Sequence, residues 1–266
     1  MHALLTIGSL YHATDPCYHP EPRQWKQNRE ETSSVENGMR GRGRRYQMKT
    51  SPTEYQKQIP SNRELVVLLI VYLVAFAALA VRPYDRWDWA MENFFPLSML
   101  VATLIVYPHF KFTRLAYYLI FFYLLVQTYG GHYTYALTPP FNWLKEEFGL
   151  SRNHYDRVAH FMLGFLMAIP IREILLRYVT TSRRWMAFIT ASIVLAIGAF
   201  YEFIEWWVAV LVTPDLGDKF LGTQGDIWDS HWDMFLALVG SICALAIFMK
   251  LHDRQLGIYG RSHKAS

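Results

Sequence analysis

The residues able to do chemistry concentrate in one stretch, Gly222-Thr223-Gln224-Gly225-Asp226-Ile227-Trp228-Asp229-Ser230-His231-Trp232-Asp233-Met234. A glycine-bounded turn is followed by three carboxylates and two tryptophans, and the chain then runs into an apolar segment ending near Met249. Asp226, Asp229, Asp233 and Gly240 recur at helical spacing, which places them on one helix face. Trp228, Trp232 and Phe235 fall on another, suited to an aromatic belt or to helix packing. Asp226 or Asp229 fits a cap or a first-turn carboxylate serving the helix dipole. Asp233 lies too deep for either. An acid at that depth of a membrane helix is expected to have a partner or a function.

Other acids and imidazoles fall at corresponding depths. Asp156 and His160 are four residues apart and share a helix face, which Gly164 continues. Asp156 fits either a first-turn dipole role with Asn153 as N-cap or a site role, and His160 fits either a structural hydrogen bond or a functional one. Glu202 and Glu205 lie about one turn inside the boundary marked by Trp206 and Trp207, so they are expected to face the bundle. His132 follows the third apolar segment. Carboxylates gathered in a low-dielectric pocket cannot all stay charged without shared protons, basic partners such as Arg152 or Arg157, or a bound divalent cation. The cation ligands expected are Glu202, Glu205, Asp229 and Asp233, with oxygen and nitrogen donors suited to such a metal. The catalytic candidates are His160 as acid/base with Asp156, Glu205 and Asp233, and the candidate substrate contacts are His132, Arg157, Gln224 and Trp228. No glycine-rich phosphate loop, Gly-x-Ser-x-Gly, His-Glu-x-x-His or zinc spacing is present.

The elements that must position these residues are membrane helices. The chain is 52% hydrophobic and 18% charged with net charge +4, and almost all the apolar content follows Leu65 in blocks long enough to cross a bilayer. Six spans are expected: 65–81, about 90–106, 115–129, 158–176, 185–212 and 227–249. Lys and Arg dominate the tail before Leu65, the loop at 108–114, the segment after Pro170 and the C-terminus, while the other loops are mixed or acidic. That alternation puts both termini in the cytoplasm and the acids and histidines on the extracytoplasmic face. The fold expected is therefore an all-α polytopic bundle of six transmembrane helices at 63–251, with a polar, basic tail at 1–62 and a basic tail at 252–266. The first tail is expected to be disordered, with Met48 an alternative start. The basic residues read as topology signals rather than as a nucleic-acid surface. Cys17 and Cys243 lie in different environments and are not expected to pair.

Gly130-Gly131-His132-Tyr133-Thr134-Tyr135, the segment 154–161, Tyr201-Glu202-Phe203-Ile204-Glu205-Trp206 and the 222–234 stretch resemble the YjdF family of bacterial inner-membrane proteins. The resemblance covers about 65–249 and implies a multi-pass inner-membrane protein without supplying a reaction. More distantly, Asp156-Arg157-Val158-Ala159-His160-Phe161, Glu202 or Glu205, and Asp229-Ser230-His231-Trp232-Asp233 are similar to elements of the VanZ-like superfamily, with Arg157 for Lys and Asp233 for Asn. That similarity implies a cell-envelope substrate by analogy. Two functions follow: an acid/histidine site acting on or binding an envelope or lipid-linked molecule, or a scaffold or binding module whose polar residues lock the helices. An ion carrier ranks below both, because apart from Glu173 the acids stay at one membrane face.

Overall fold

The computed structural model describes residues 57–212, 217, 220, 221 and 223–258. The expectations for 1–56, Met48 and Cys17 among them, and for 259–266 lie outside the described residues. Among those residues the protein is all-helical. Seven helices have defined bounds: α1 Asn62–Leu79, α2 Arg86–Val106, α3 Arg114–His132, α4 Pro139–Glu147, α5 Tyr155–Tyr178, α6 Arg183–Leu211 and α7 Asp229–Gln255. Five of them (α1, α2, α5, α6 and α7) are long and apolar enough to cross a membrane. Helix α3 has 19 residues, but tyrosines, Gln127 and Thr128 dilute its apolar content, and it is enclosed by its neighbours.

Local chemistry sets the helix starts. Oxygen-bearing side chains accept first-turn N–H groups at Ser61 (from Glu64, 3.2 Å), Asp85 (from Trp87, 2.9 Å) and Thr113 (from Ala116, 3.4 Å). Pro139 and Pro140 open α4, where their missing N–H groups cost nothing. The Asp85 cap starts α2 four residues before the expected Ala90, which brings Asp88 into the helix and sets Glu92 beyond its first turn. Helix α7 begins at Asp229, so Asp226 and Ile227 belong to the preceding turn, and it runs past the expected end near Met249 to bury His252 and Asp253. The short α4 was not anticipated, having no span-length apolar run.

Helices α5 and α7 form the centre. Each is crossed by small residues, and a Cβ added at Gly164 would meet the Ser241 nitrogen at 2.7 Å, while one at Gly240 would meet the Phe165 nitrogen at 2.9 Å. With Ala168, Ala237 and Ala244 fully buried, the two backbones touch, which dispersion rewards in a membrane where no hydrophobic force brings helices together. Asp156 and His160 lie beside Asp233 at one end, and Arg172 and Glu173 beside Asp253 and His252 at the other, so the helices are parallel. Helices α3 and α6 pack on this pair, and α1 and α2 each lean on α3.

At the C-terminal end of the pair a buried network ties three helices together. Glu173 accepts from the Thr113 backbone (2.9 Å) and hydroxyl (2.7 Å), from His252 Nε2 (3.2 Å) and from Arg177. Arg172 reaches His252 Nδ1 at 2.8 Å and Asp253. His252 therefore acts as a neutral Nε2–H tautomer, accepting at one nitrogen and donating at the other. This cluster surrounds Glu173, the acid at the opposite membrane face, and gives it a structural role.

Two outcomes follow. Gly240→Leu should force α5 from α7 and cost about 3 kcal/mol or more, read as a large loss of thermal stability in detergent, while Ile242→Ala on the lipid-facing side should leave it nearly unchanged. Glu173→Ala should cost about 3–5 kcal/mol by leaving buried cations and donors uncompensated, and the same unfolding measurement checks it.

Candidate functional site

Because α5 and α7 are parallel, their N-termini meet at one end of the bundle, and so do the positive ends of their dipoles. Here Asp156, Asp229 and Asp233 are buried, facing Glu202 and Glu205 of α6. Arg152, just before α5, is 3% exposed and makes a two-pronged pair with Asp229. It also lies 3.8 Å from Asp156. Arg157 pairs with Asp226, approaches Asp229 at 3.7 Å and stacks over the Trp232 ring at 5.5 Å. Asp226, in the turn outside the helices, is held below the usual carboxylate range chiefly by the Trp228 N–H and then by Arg157. Burial, then the Arg157 and Arg152 charges, lowers the His154 imidazole. The basic partners anticipated for the acids are thus Arg152 and Arg157, and their closest pairs are Asp229 and Asp226.

One turn deeper the balance changes. His160 Nε2 lies 3.7 Å from both an Asp156 oxygen and a Glu202 oxygen, beyond direct hydrogen bonding. His160 Nδ1, Glu202 Oε1 and Asp233 Oδ1 are buried and make no hydrogen bond. Ligand atoms of Asp156, His160 and Asp233 all lie within 4.8 Å of one another. Metal–ligand bonds of about 2.0–2.5 Å put ligands around one ion about 3–5 Å apart, so this set could hold a divalent cation with Glu202 beside it.

His160 also faces a cavity of about 240 Å³. Its polar lining comes from five elements: Glu92 of α2, Tyr123 and Gln127 of α3, Tyr135 in the following turn, Asp156 and His160 of α5, and Tyr201 and Glu205 of α6. The Tyr201 hydroxyl donates to Glu92 at 3.0 Å, bridging α6 to α2. Tyr135 enters because Gly130 has no side chain, and a Cβ there would meet the Tyr135 ring at 2.6 Å. That accounts for a glycine in the Gly130–Tyr135 motif by shape. Lining residues Ile197 and Phe200 are also exposed on the outer surface of α6, so the cavity opens toward surrounding lipid.

The expected site residues divide into two groups. Asp156, His160, Glu202, Glu205 and Asp233 converge as described. Asp229 is engaged by Arg152, and Arg157 by Asp226. His132 does not line the cavity: its Nδ1 meets the Leu79 carbonyl at 2.6 Å, and its own carbonyl accepts the Tyr84 N–H at 3.0 Å, stapling the α1–α2 connection. Gln224 holds both the N–H and the carbonyl of Asn153, each at 2.9 Å, and latches the turn onto α5. Trp228 is 57% exposed and away from the cavity. Asn153 is not the N-cap, a position held by His154; its buried side chain accepts the Tyr155 N–H and donates to Thr138 and Asn142. Glu92 was missed, although it meets the criterion that singled out Asp233: it lies beyond the first turn of an apolar helix, and the late placement of the α2 start hid it.

The comparisons agree with this architecture. A family model described as "Predicted membrane protein (DUF2238)" matches residues 64–254. The chain is similar to "Inner membrane protein YjdF" of Escherichia coli (strain K12), with 39% identity over 213 residues that cover 78% of this chain and 98% of the relative. No solved structure matches it. With the family match spanning all the helices and the acidic end they enclose, the chain belongs to the DUF2238 family, to which the YjdF resemblance pointed, as a multi-pass inner-membrane protein.

Proposed function

We propose that the acidic end is an extracytoplasmic acid/histidine site that binds or transforms the polar group of a cell-envelope or lipid-linked molecule, with a divalent cation as its electrostatic counterweight. In this reading α3 is the sixth span, both termini are cytoplasmic, and the basic end faces the cytoplasm. The observation that carries the proposal is the charge surplus around His160. Once Arg152 and Arg157 have taken Asp229 and Asp226, the buried Glu92, Asp156, Glu202, Glu205 and Asp233 remain clustered around one imidazole. In low dielectric they need shared protons or a cation.

Asp156, His160 and Asp233 hold the cation, with Glu202 completing the set. Of the ligands expected from sequence, Asp229 serves better as the anchor for Arg152, and Glu205 as a wall of the cavity. Substrate occupies the cavity with its polar group near Glu92, Tyr201 and Glu205, and its apolar part leaves along Ile197 and Phe200 into lipid. His160 touches both cavity and cation set, which makes it the acid/base candidate. The competing reading is a non-catalytic bundle lock, and the two-pronged Arg152–Asp229 pair favours it for that pair alone.

Metal analysis of protein purified without chelators, together with titration by Mn²⁺ and Zn²⁺, separates the readings. One bound ion per chain is expected. Asp233→Asn and His160→Gln should weaken it by at least about tenfold while shifting thermal unfolding little, and Glu92→Gln should retain it. Absence of binding, combined with a large stability loss in Asp233→Asn, would establish the lock and end the proposal.

A further inference from the structure

The basic end carries a second site, independent of the acidic one. Helices α1 and α2 meet near the acidic end, where Phe76 and Trp89 lie 5.6 Å apart, and both lean on α3. Between them lies an apolar groove of about 340 Å³, walled by residues such as Leu65 and Leu69 of α1, Leu100 and Leu104 of α2, and Ile120 and Leu124 of α3. Its deep end is closed by Tyr72, whose hydroxyl bonds Thr128 at 3.1 Å. Its other end reaches Asn62 and Tyr107, where the tyrosine hydroxyl donates to Asn62 at 2.6 Å.

Those two residues also line a separate polar cavity of about 390 Å³, whose rim carries Lys57, Lys111 and Arg114. Glu64 engages Arg114 at 3.0 Å from outside the cavity, and among the described residues no carboxylate lines it. The Lys111 ammonium lies 5.3 Å over the Tyr107 ring, at the junction of the two cavities. Apolar groove and cationic cup thus share one doorway at the level where α1 and α3 begin and α2 ends.

We infer that this composite cavity binds one anionic phospholipid of the leaflet at the basic end, its phosphate in the Lys57–Lys111 cup and an acyl chain in the α1–α2 groove. The groove from Asn62 to Tyr72 spans ten residues of α1, or about 15 Å along the helix, which suits a chain lying against α1 and not a crossing helix. Cationic pockets between transmembrane helices recognise anionic headgroups by charge, and the groove adds apolar contact that a free anion cannot use.

The test uses native mass spectrometry and thermal unfolding of the purified full chain in mild detergent, titrated with phosphatidylglycerol, with phosphatidylcholine of identical chains, and with inorganic phosphate. One retained phosphatidylglycerol per monomer is expected, with a saturating rise in Tm that phosphatidylcholine and phosphate do not reproduce. Lys57→Ala with Lys111→Ala, the first exposed and the second half-buried, should weaken retention at least tenfold. Leu104→Trp, which fills the groove from a half-exposed position, should do the same while leaving the cup intact. Equal retention of the two lipids, or undiminished retention by the lysine variant, would reduce the site to ordinary boundary lipid and overturn the inference. Stabilisation by phosphate alone that survives Leu104→Trp would overturn it in favour of an ion site. Dimers replacing lipid uptake would overturn it in favour of a helix interface.

Discussion

The close parallel crossing of α5 and α7 fixes everything else. It exists because Gly164, Gly240 and the buried alanines leave no side chain between the backbones. Soluble bundles are drawn together by apolar burial, but within lipid the gain must come from contact itself, so the smallest residues occupy the seam. Once that seam is set, the partners at both ends are fixed. Arg152 meets Asp229 and His160 approaches Asp233 at one end, and Glu173 and Arg172 meet His252 and Asp253 at the other.

Parallel orientation gives the two ends opposite chemistry. Two helix N-termini converge at the acidic end, where their partial positive charge favours Asp156 and Asp229 in the first turns. Two C-termini converge at the other end, where Arg177, His252 and Arg254 occupy the last turns. The dipoles fade within a turn, so they stabilise the first carboxylates and leave the deeper ones to other means. That gradient separates Asp229, satisfied by Arg152, from Asp233, which keeps a buried oxygen without a hydrogen bond. The two ends also differ in how completely they are satisfied. The basic-end network binds Glu173 from four directions, while the acidic end leaves His160 between carboxylates at non-bonding distances. A carboxylate bonded on every side, as Glu173 is, holds a structure together, whereas buried acids and an imidazole left without hydrogen bonds leave room for a further partner such as an ion.

Much of this was legible in sequence because membrane helices announce themselves by length, and because an acid deep in an apolar run is conspicuous. Asp233, Glu202 and Glu205 were readable for that reason, and the acidic stripe on α7 follows from spacing alone. Gln224 and His132 were not, because their roles depend on which backbone groups lie within reach after folding. A glutamine that caps the peptide of Asn153 and a glutamine that binds substrate look alike in a sequence. Glu92 was hidden by a boundary error of four residues, small in length but enough to make an acid beyond the first turn look like a first-turn carboxylate. The VanZ-like similarity set Asp233 against an asparagine; in the structure that position brings a carboxylate oxygen within 4.8 Å of a His160 ring nitrogen.

His160 is the side chain on which the proposed site turns. Its Nε2 faces Asp156 and Glu202, its ring packs edge-on against Tyr201 at 5.8 Å, and it lines the cavity. Tyr201 in turn donates to Glu92. A chain of contacts therefore runs from the Asp156 and Glu202 carboxylates through the imidazole and the Tyr201 ring to the buried Glu92 of α2. In the proposed reading, any charge that enters the cavity is felt at the cation ligands through that ring, and any cation bound behind it changes what the ring can accept from the cavity side. In the proposed reading, metal and substrate are consequently coupled through one imidazole, and by linkage each must alter the affinity of the other.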